Sequence, residues 1–189
     1  MTDIDSPERL IASLRRLRAV RNFRPDPVPQ HVLNDLLDVA RWTGSARNLQ
    51  PWEFVVIRKP ETLQALAQVE GSVKHLAGAA LAIVLVMAGD PGFVAQETYD
   101  EGRLSERIML AAAAHGLGSC IGWFAGSGPA AAKDILGIPA ERLVRTVLSL
   151  GYPDQEAQRV RPKPLQARKP LTEQLHNEHY GRRMAEPTS

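Results

Sequence analysis

Near the start of the chain, apolar positions repeat every three to four residues. Leu10, Ile11, Leu14 and Leu17 form one stripe, and Val32, Leu33, Leu36, Leu37 and Ala40 form a second. That period predicts two amphipathic helices. Ser6-Pro7-Glu8 is a start signal for the first, with Ser6 as cap and Pro7 in the first turn. Pro25, Pro27 and Pro29 separate the two. The pattern then changes. Phe54-Val55-Val56-Ile57 is an unbroken apolar run closed by Arg58-Lys59-Pro60, which predicts a strand, and a helix over 61–69 follows. Residues 81–87 hold no polar position and are rich in β-branched side chains, the mark of a strand covered on both faces. The longest helical segment is 96–115, with Leu104, Ile108, Ala111 and His115 on one stripe and Gly116 placed to end it. Third and fourth strands are predicted over 117–124 and 144–150, with a short helix over 130–136 between them. After Gly151-Tyr152-Pro153 the apolar period stops, and 154–170 are polar, basic and proline-rich. Such a segment wraps over its own domain or over a partner subunit.

Composition narrows the picture. The 189 residues fit one ordinary domain, and 44% hydrophobic with only 5% aromatic residues predicts an aliphatic core. The order of helices and strands suits an α+β sandwich around a central sheet better than strict βαβ alternation. Net charge is +2, so there is no global case for nucleic acid. The basic residues are nevertheless clustered: Arg9, Arg15, Arg16, Arg18, Arg21 and Arg24 at one end, Arg159, Arg161, Lys163, Arg168 and Lys169 at the other. Cys120 is the only cysteine, which excludes an intrachain disulfide and a cysteine metal cluster. The first residues are acidic and polar, and the longest apolar stretch, 77–89, is too short for a bilayer. The expectation is a soluble cytoplasmic protein with no membrane partner.

Three places carry candidate chemistry. The loop Gly44-Ser45-Ala46-Arg47-Asn48-Leu49-Gln50-Pro51-Trp52 is built of small and amide side chains. These leave backbone N–H groups open and suit a flat, heteroatom-rich ligand. Arg18 and Arg21 lie three apart at a helix end, and guanidinium forks bind phosphate bidentately; a solvated helix face is the plainer alternative. The glycines in Gly116-Leu117-Gly118-Ser119-Cys120-Ile121-Gly122 follow a helix rather than a strand, so they are a helix cap and a bare backbone, not a dinucleotide fingerprint. His176 and His179, near Glu173 and Glu178, have helical spacing for two metal ligands but lack a third, so a solvated C-terminal helix is the better reading and no metal is expected. Cys120 near His115 reads as a plain buried cysteine.

Taken together, these segments resemble the nitroreductase family of flavin enzymes. Leu17-Arg18-Ala19-Val20-Arg21-Asn22-Phe23 is similar to the family's Arg-Arg-Ser-Val-Arg-x-Phe, with Leu17 and Ala19 departing from it. The loop at 44–52 is similar to Pro-Ser-Ser-x-Asn-x-Gln-Pro-Trp, matching at Ser45, Asn48, Gln50, Pro51 and Trp52, with Gly44 and Ala46 departing. Arg168-Lys169-Pro170-Leu171 matches the family's C-terminal motif, and Gln166 stands where relatives often place a second cation. The resemblance runs from about residue 14 to 181 and implies a three-layer α+β sandwich with a mostly antiparallel sheet flanked by helices. It implies one domain over 1–189, with 154–189 as an arm exchanged in a homodimer. FMN would contact Arg18, Ala19, Arg21, Ile121, Gly122, Trp123 and Arg168 of one subunit and Ser45, Ala46, Asn48 and Gln50 of the other. Arg21 would stabilise negative charge on reduced flavin, and no side chain would act as nucleophile. NADPH or NADH would reduce the flavin, and a nitroaromatic, quinone or other conjugated acceptor would reoxidise it in ping-pong order. The segment 89–103, with Phe93, Tyr99, Asp100 and Arg103, would border the pocket. The alternatives are a flavin-binding storage or sensing protein without turnover, and a deazaflavin-dependent reductase.

Overall fold

A computed structural model describes residues 6–160 and 167–183. The chain falls into two compact units, Met1–Arg159 and Val160–Ser189.

The layering of the first unit follows from strand β2 (Leu81–Met87), all seven residues of which are buried. Side chains alternate across a strand. Leu81, Ile83 and Leu85 meet Leu33, Leu36 and Ala40 of α2 (Gln30–Arg41) and Leu104, Ile108 and Ala112 of α4 (Val94–Ala114). Ala82, Val84 and Val86 meet Leu63 and Leu66 of α3 (Pro60–Ala67) and Ala132 of α5 (Gly128–Leu136). The other strands are β1 (Trp52–Ile57), β3 (Gly118–Trp123) and β4 (Leu143–Gly151). The sheet order is β1-β2-β4-β3, and every adjacent pair is antiparallel. This is the helix–sheet–helix sandwich expected from the sequence.

Two local features shape the site. Val84 pairs with Val147 and Val86 with Val144, so β4 carries one extra residue opposite Leu85. This bulge turns Val144 and Val147 to the same face and re-aims the residues between them. At the end of α4, Leu117 N–H donates to Ala112 O and Gly116 N–H to Ala113 O, while Gly116 takes φ 71°. That left-handed cap, natural for glycine, turns the chain into β3.

The structure corrects several expectations. Helix α1 (Pro7–Arg16) buries none of its residues, and the Leu10, Ile11 and Leu14 face stays exposed. Ser6 is at its N-cap position but makes no side-chain capping bond. Because α1 stops at Arg16, Arg18 and Arg21 are not on a helix; Ala19 bridges in parallel to Ser119 and Phe23 bridges antiparallel to Pro153, so the segment runs along the sheet. Helix α3 ends at Ala67, short of the predicted 69. Residues 154–159 belong to the first unit: Asp154 N–H donates to Asn22 O, and Asp154 Oδ1 accepts from Glu156 and Ala157 N–H at the start of α6 (Gln155–Arg159). In the second unit no helix spans 173–179. A short 3-10 turn (Leu171–Glu173) leads into a reversal in which Asn177 N–H donates to Arg182 O and His176 Nδ1 accepts from Gly181 N–H. The His176 and His179 pairing for a metal is therefore lost, and among the described residues no group of three or more His, Cys, Asp or Glu could hold one. Gln166, Arg161 and Lys163 lie outside the described residues. No described helix is long and apolar enough to cross a membrane.

Candidate functional site

Strand β3 is an edge strand, so alternate N–H and C=O groups face away from β4. Ser119 O accepts from Val20 N–H at 2.8 Å. At the other end Trp123 O accepts from Ser72 N–H at 2.8 Å, and Trp123 N–H donates to Ser72 Oγ at 3.1 Å. By the same alternation, Ile121 directs its N–H outward between these two covered stretches. Its side chain and that of Trp123 are exposed. Glycine is needed on either side of Ile121. A Cβ at Gly118 would lie 2.6 Å from Val20, and one at Gly122 would lie 3.0 Å from Val147 and 3.1 Å from His75 Nε2.

Arg21, Phe23, Lys74, His75 and Asp154 line a cavity of about 480 Å³. His75 is the most constrained group there. Its Nδ1 lies 2.8 Å from Ser149 Oγ and its Nε2 3.1 Å from Ser72 O. Burial, with a smaller push from the Arg21 charge, holds its pKa below 6.5 against the raising effect of the Ser72 carbonyl. A second cavity, about 600 Å³, is lined by Arg16, Leu17, Arg18, Val20, Gly118 and Ser119. Arg18 turns back there, donating from Nη1 to Arg15 O at 2.6 Å and Leu17 O at 2.7 Å. Leu17 gives this cavity an apolar wall. Lys74 and His75 escaped the sequence reading; the only local signal is the short polar break around Ser72 between α3 and β2.

The loop after α2 forms its own structure. Ala46–Asn48 is a 3-10 turn, and Arg47, Asn48 and Gln50 have φ values of 53°, 55° and 49°. Each left-handed non-glycine residue costs on the order of 1–3 kcal/mol unless its surroundings fix it. Here Ser45 Oγ accepts from Gln50 N–H at 2.9 Å, and Asp100 Oδ2 accepts from Ala46 N–H at 3.3 Å. The Arg47 guanidinium stacks 5.4 Å from the Phe93 ring centre. Ala46, Leu49, Pro51, Phe93, Glu97 and Asp100 line a cavity of about 230 Å³. Helix α4 holds this region with three buried acids. Asp100 takes the loop, Glu97 accepts from Gly89 and Asp90 N–H, and Glu101 pairs with Arg145 on the β4 bulge.

The predicted site residues thus form two groups. Arg18, Ala19, Arg21, Ile121, Gly122 and Trp123 gather along β3. Ser45, Ala46, Asn48 and Gln50 gather at the Asp100 end of α4. Ala113 of α4 lines the same cavity as Arg18, so Arg18 sits towards the end of the helix away from the loop. Trp123, at the other end of β3, lies against Arg145 and so near Glu101 and the loop's end of α4. Asp100 and Ala113 are about 20 Å apart along its axis. Arg168 lies in the second unit, exposed and in no regular element.

Comparison with known proteins gives the family and the fold. Residues 14–88 match the profile of the nitroreductase family. An Archaeoglobus fulgidus protein, provisionally named NADH dehydrogenase/NAD(P)H nitroreductase, is 32% identical over 74% of this chain and 82% of its own length. This chain belongs to the nitroreductase family. A Thermus thermophilus relative named NADH dehydrogenase is 29% identical over 77% of the chain and 86% of its own length. Among solved structures, an FMN-dependent nitroreductase from Clostridium difficile superposes with a TM-score of 0.76 at 24% identity, covering 90% of this chain and 99% of that one. The described sandwich has the nitroreductase fold.

Proposed function

We propose that this nitroreductase-family chain is an FMN-dependent oxidoreductase that uses NADH or NADPH to reduce a small conjugated acceptor, acting as a homodimer with a site at each interface. The observation that carries the reading is the β3 edge. It leaves an outward N–H at Ile121, and the segment that bridges to it carries Arg21 to a cavity that Lys74 also lines. A flat ring with hydrogen-bonding atoms along one side and developing negative charge fits that donor set. FMN is the group named for the Clostridium difficile structure.

When bound, FMN supplies the two-electron chemistry that lets a nicotinamide donor and an acceptor react in turn. The chain supplies position and field. Ile121 N–H would donate to the ring edge, while Gly122 leaves room for the His75 ring behind the strand. Arg21 is a fixed cation whose value rises in a water-poor cleft, so it stabilises negative charge there without reorganising. Donor and acceptor would use one exposed face of the bound group in turn, which would give ping-pong kinetics. In the homodimer Ser45, Ala46, Asn48 and Gln50 would serve the flavin of the second copy, and Arg168 would reach a flavin phosphate.

The test measures FMN content and oligomeric state of the purified protein and of Arg168→Ala. The reading expects a dimer that retains FMN and loses most of it in the variant. A monomer with full FMN occupancy, or unchanged FMN in Arg168→Ala, contradicts it.

A further inference from the structure

His75 lies behind the β3 edge rather than on it. Its ring fits beneath Gly122, where a Cβ would stand 3.1 Å from Nε2. It joins three segments at once. Ser72 O is only an acceptor, so the 3.1 Å contact requires a proton on Nε2. Nδ1 is then an acceptor and takes the Ser149 hydroxyl at 2.8 Å. Ser72 itself exchanges two hydrogen bonds with the Trp123 backbone. The 3-10 turn Lys74–Gly78 is thereby tied to both β3 and β4, and Lys74 is held at the cavity it shares with Arg21.

We propose that His75 is a positioning residue of the flavin site: its neutral Nε2–H tautomer ties the turn carrying Lys74 to β3 and β4, and so fixes Lys74 and the Ile121–Trp123 backbone against the bound ring. The proposal rests on the FMN reading. Its logic is that sub-ångström misplacement of donors and charges is costly in a preorganised site.

The charged and titratable groups around the imidazole agree with a neutral ring. Arg21 and Lys74 stand on the cavity side with Asp154, and the buried Cys120 is the cross-strand partner of Ser149. Burial, then the Arg21 charge, hold the ring's pKa below 6.5. The proton is therefore taken up only as pH falls below 6.5 towards that lowered value. Nδ1 then becomes a donor, and the Ser149 hydroxyl must turn to Cys120 O, 3.5 Å away.

Two measurements on the full chain test the proposal. Long-range proton–nitrogen NMR reports the tautomer of His75; Nε2–H with bare Nδ1 at pH 7 is expected. FMN affinity is then compared among wild type, His75→Gln, His75→Phe, Lys74→Gln and the His75→Phe/Lys74→Gln double variant. His75→Gln still donates and accepts and should bind within about threefold of wild type, whereas His75→Phe strands Ser72 O and Ser149 Oγ and should bind at least about tenfold more weakly. In the Lys74→Gln background the same His75→Phe change should cost at least about threefold less than in wild type, because the part that acts through Lys74 is already lost. Should His75→Phe fail to fold, Ser149→Ala removes one of the two ties and should weaken FMN by about threefold to fivefold. An Nδ1–H tautomer, wild-type affinity in the variants that break the ties, or an equal cost with and without Lys74 overturns the assignment while leaving the flavin reading intact. A wild type that takes up no FMN overturns the flavin reading itself, and this role with it.

Discussion

The Arg145–Glu101 pair gives the sharpest test of how the two halves of the fold are locked. The β4 bulge turns Arg145 onto α4, where Nη2 meets Glu101 Oε2 and donates to Thr98 Oγ1 at 3.1 Å. The side chains are 18% and 4% exposed. Arg145 Nε and Glu101 Oε1 have no hydrogen-bond partner among the described residues, so the two carry most of each other's compensation. Arg145→Met keeps length and apolar bulk but leaves a carboxylate buried and unpaired. Breaking such a pair costs about 3–5 kcal/mol, and the partial exposure of Arg145 points to the lower end. That is a large share of a total stability of roughly 5–15 kcal/mol. At about 2–4 °C per kcal/mol for a chain this long, Tm should fall by at least about 6 °C. Replacing both, Arg145→Met with Glu101→Met, removes the stranded charge and should recover most of the loss. The assay is urea unfolding at fixed protein concentration without added flavin, read by circular dichroism and by tryptophan fluorescence. The Trp123 ring lies 5.7 Å from the Arg145 guanidinium and reports the site locally. A loss under about 1 kcal/mol for Arg145→Met, or a double variant as unstable as the sum of the singles, would refute the claim that the two buried charges compensate each other.

Three further outcomes are expected. Arg47 adopts φ 53°, so Arg47→Gly should stabilise the protein by up to about 1 kcal/mol in urea unfolding; destabilisation would mean that stacking on Phe93 outweighs the backbone strain. The Ser127 N–H and hydroxyl hold the Glu70 carboxyl below its ordinary 4.5. This stabilisation is full above 4.5 and is lost as pH falls through the lowered value, so Glu70→Gln should weaken the acid dependence of Tm, and an unchanged acid limb would argue against it. Asn48→Ala, mixed with a differently tagged wild-type subunit, should weaken FMN in the site of the wild-type copy, as the proposed shared interface requires; flavin loss confined to the variant's own site would contradict that interface.

Much of the fold could be read from the chain because its periods differ. The unbroken run at 81–87 announces a strand covered on both sides, and β2 is one. Gly116 announces the end of α4, and its φ of 71° closes it. The acids of α4 could not be read this way. Glu97, Asp100 and Glu101 look like a solvated face, yet all are buried, because their partners at Ala46, Gly89, Asp90 and Arg145 arrive through the fold. The α1 stripe shows a related limit: the period identifies the apolar face, while Leu10, Ile11 and Leu14 remain exposed. In the site, arginine chemistry marked Arg18 and Arg21, but the sequence placed them on a helix, and the edge of β3 pulls that segment out straight. Lys74 and His75 carried no motif at all. They join Arg21 only because Ser72 and His75 dock their turn onto β3 and β4.

The most direct test of the central claim is the visible absorption spectrum of the purified protein, taken before and after anaerobic addition of NADH or NADPH. Flavin bands that bleach with either donor and return on adding a quinone or nitroaromatic are the predicted result. Flavin bands that persist with both donors would contradict the oxidoreductase and favour flavin binding without turnover. A colourless protein that also rejects added FMN would contradict the flavin site on the β3 edge.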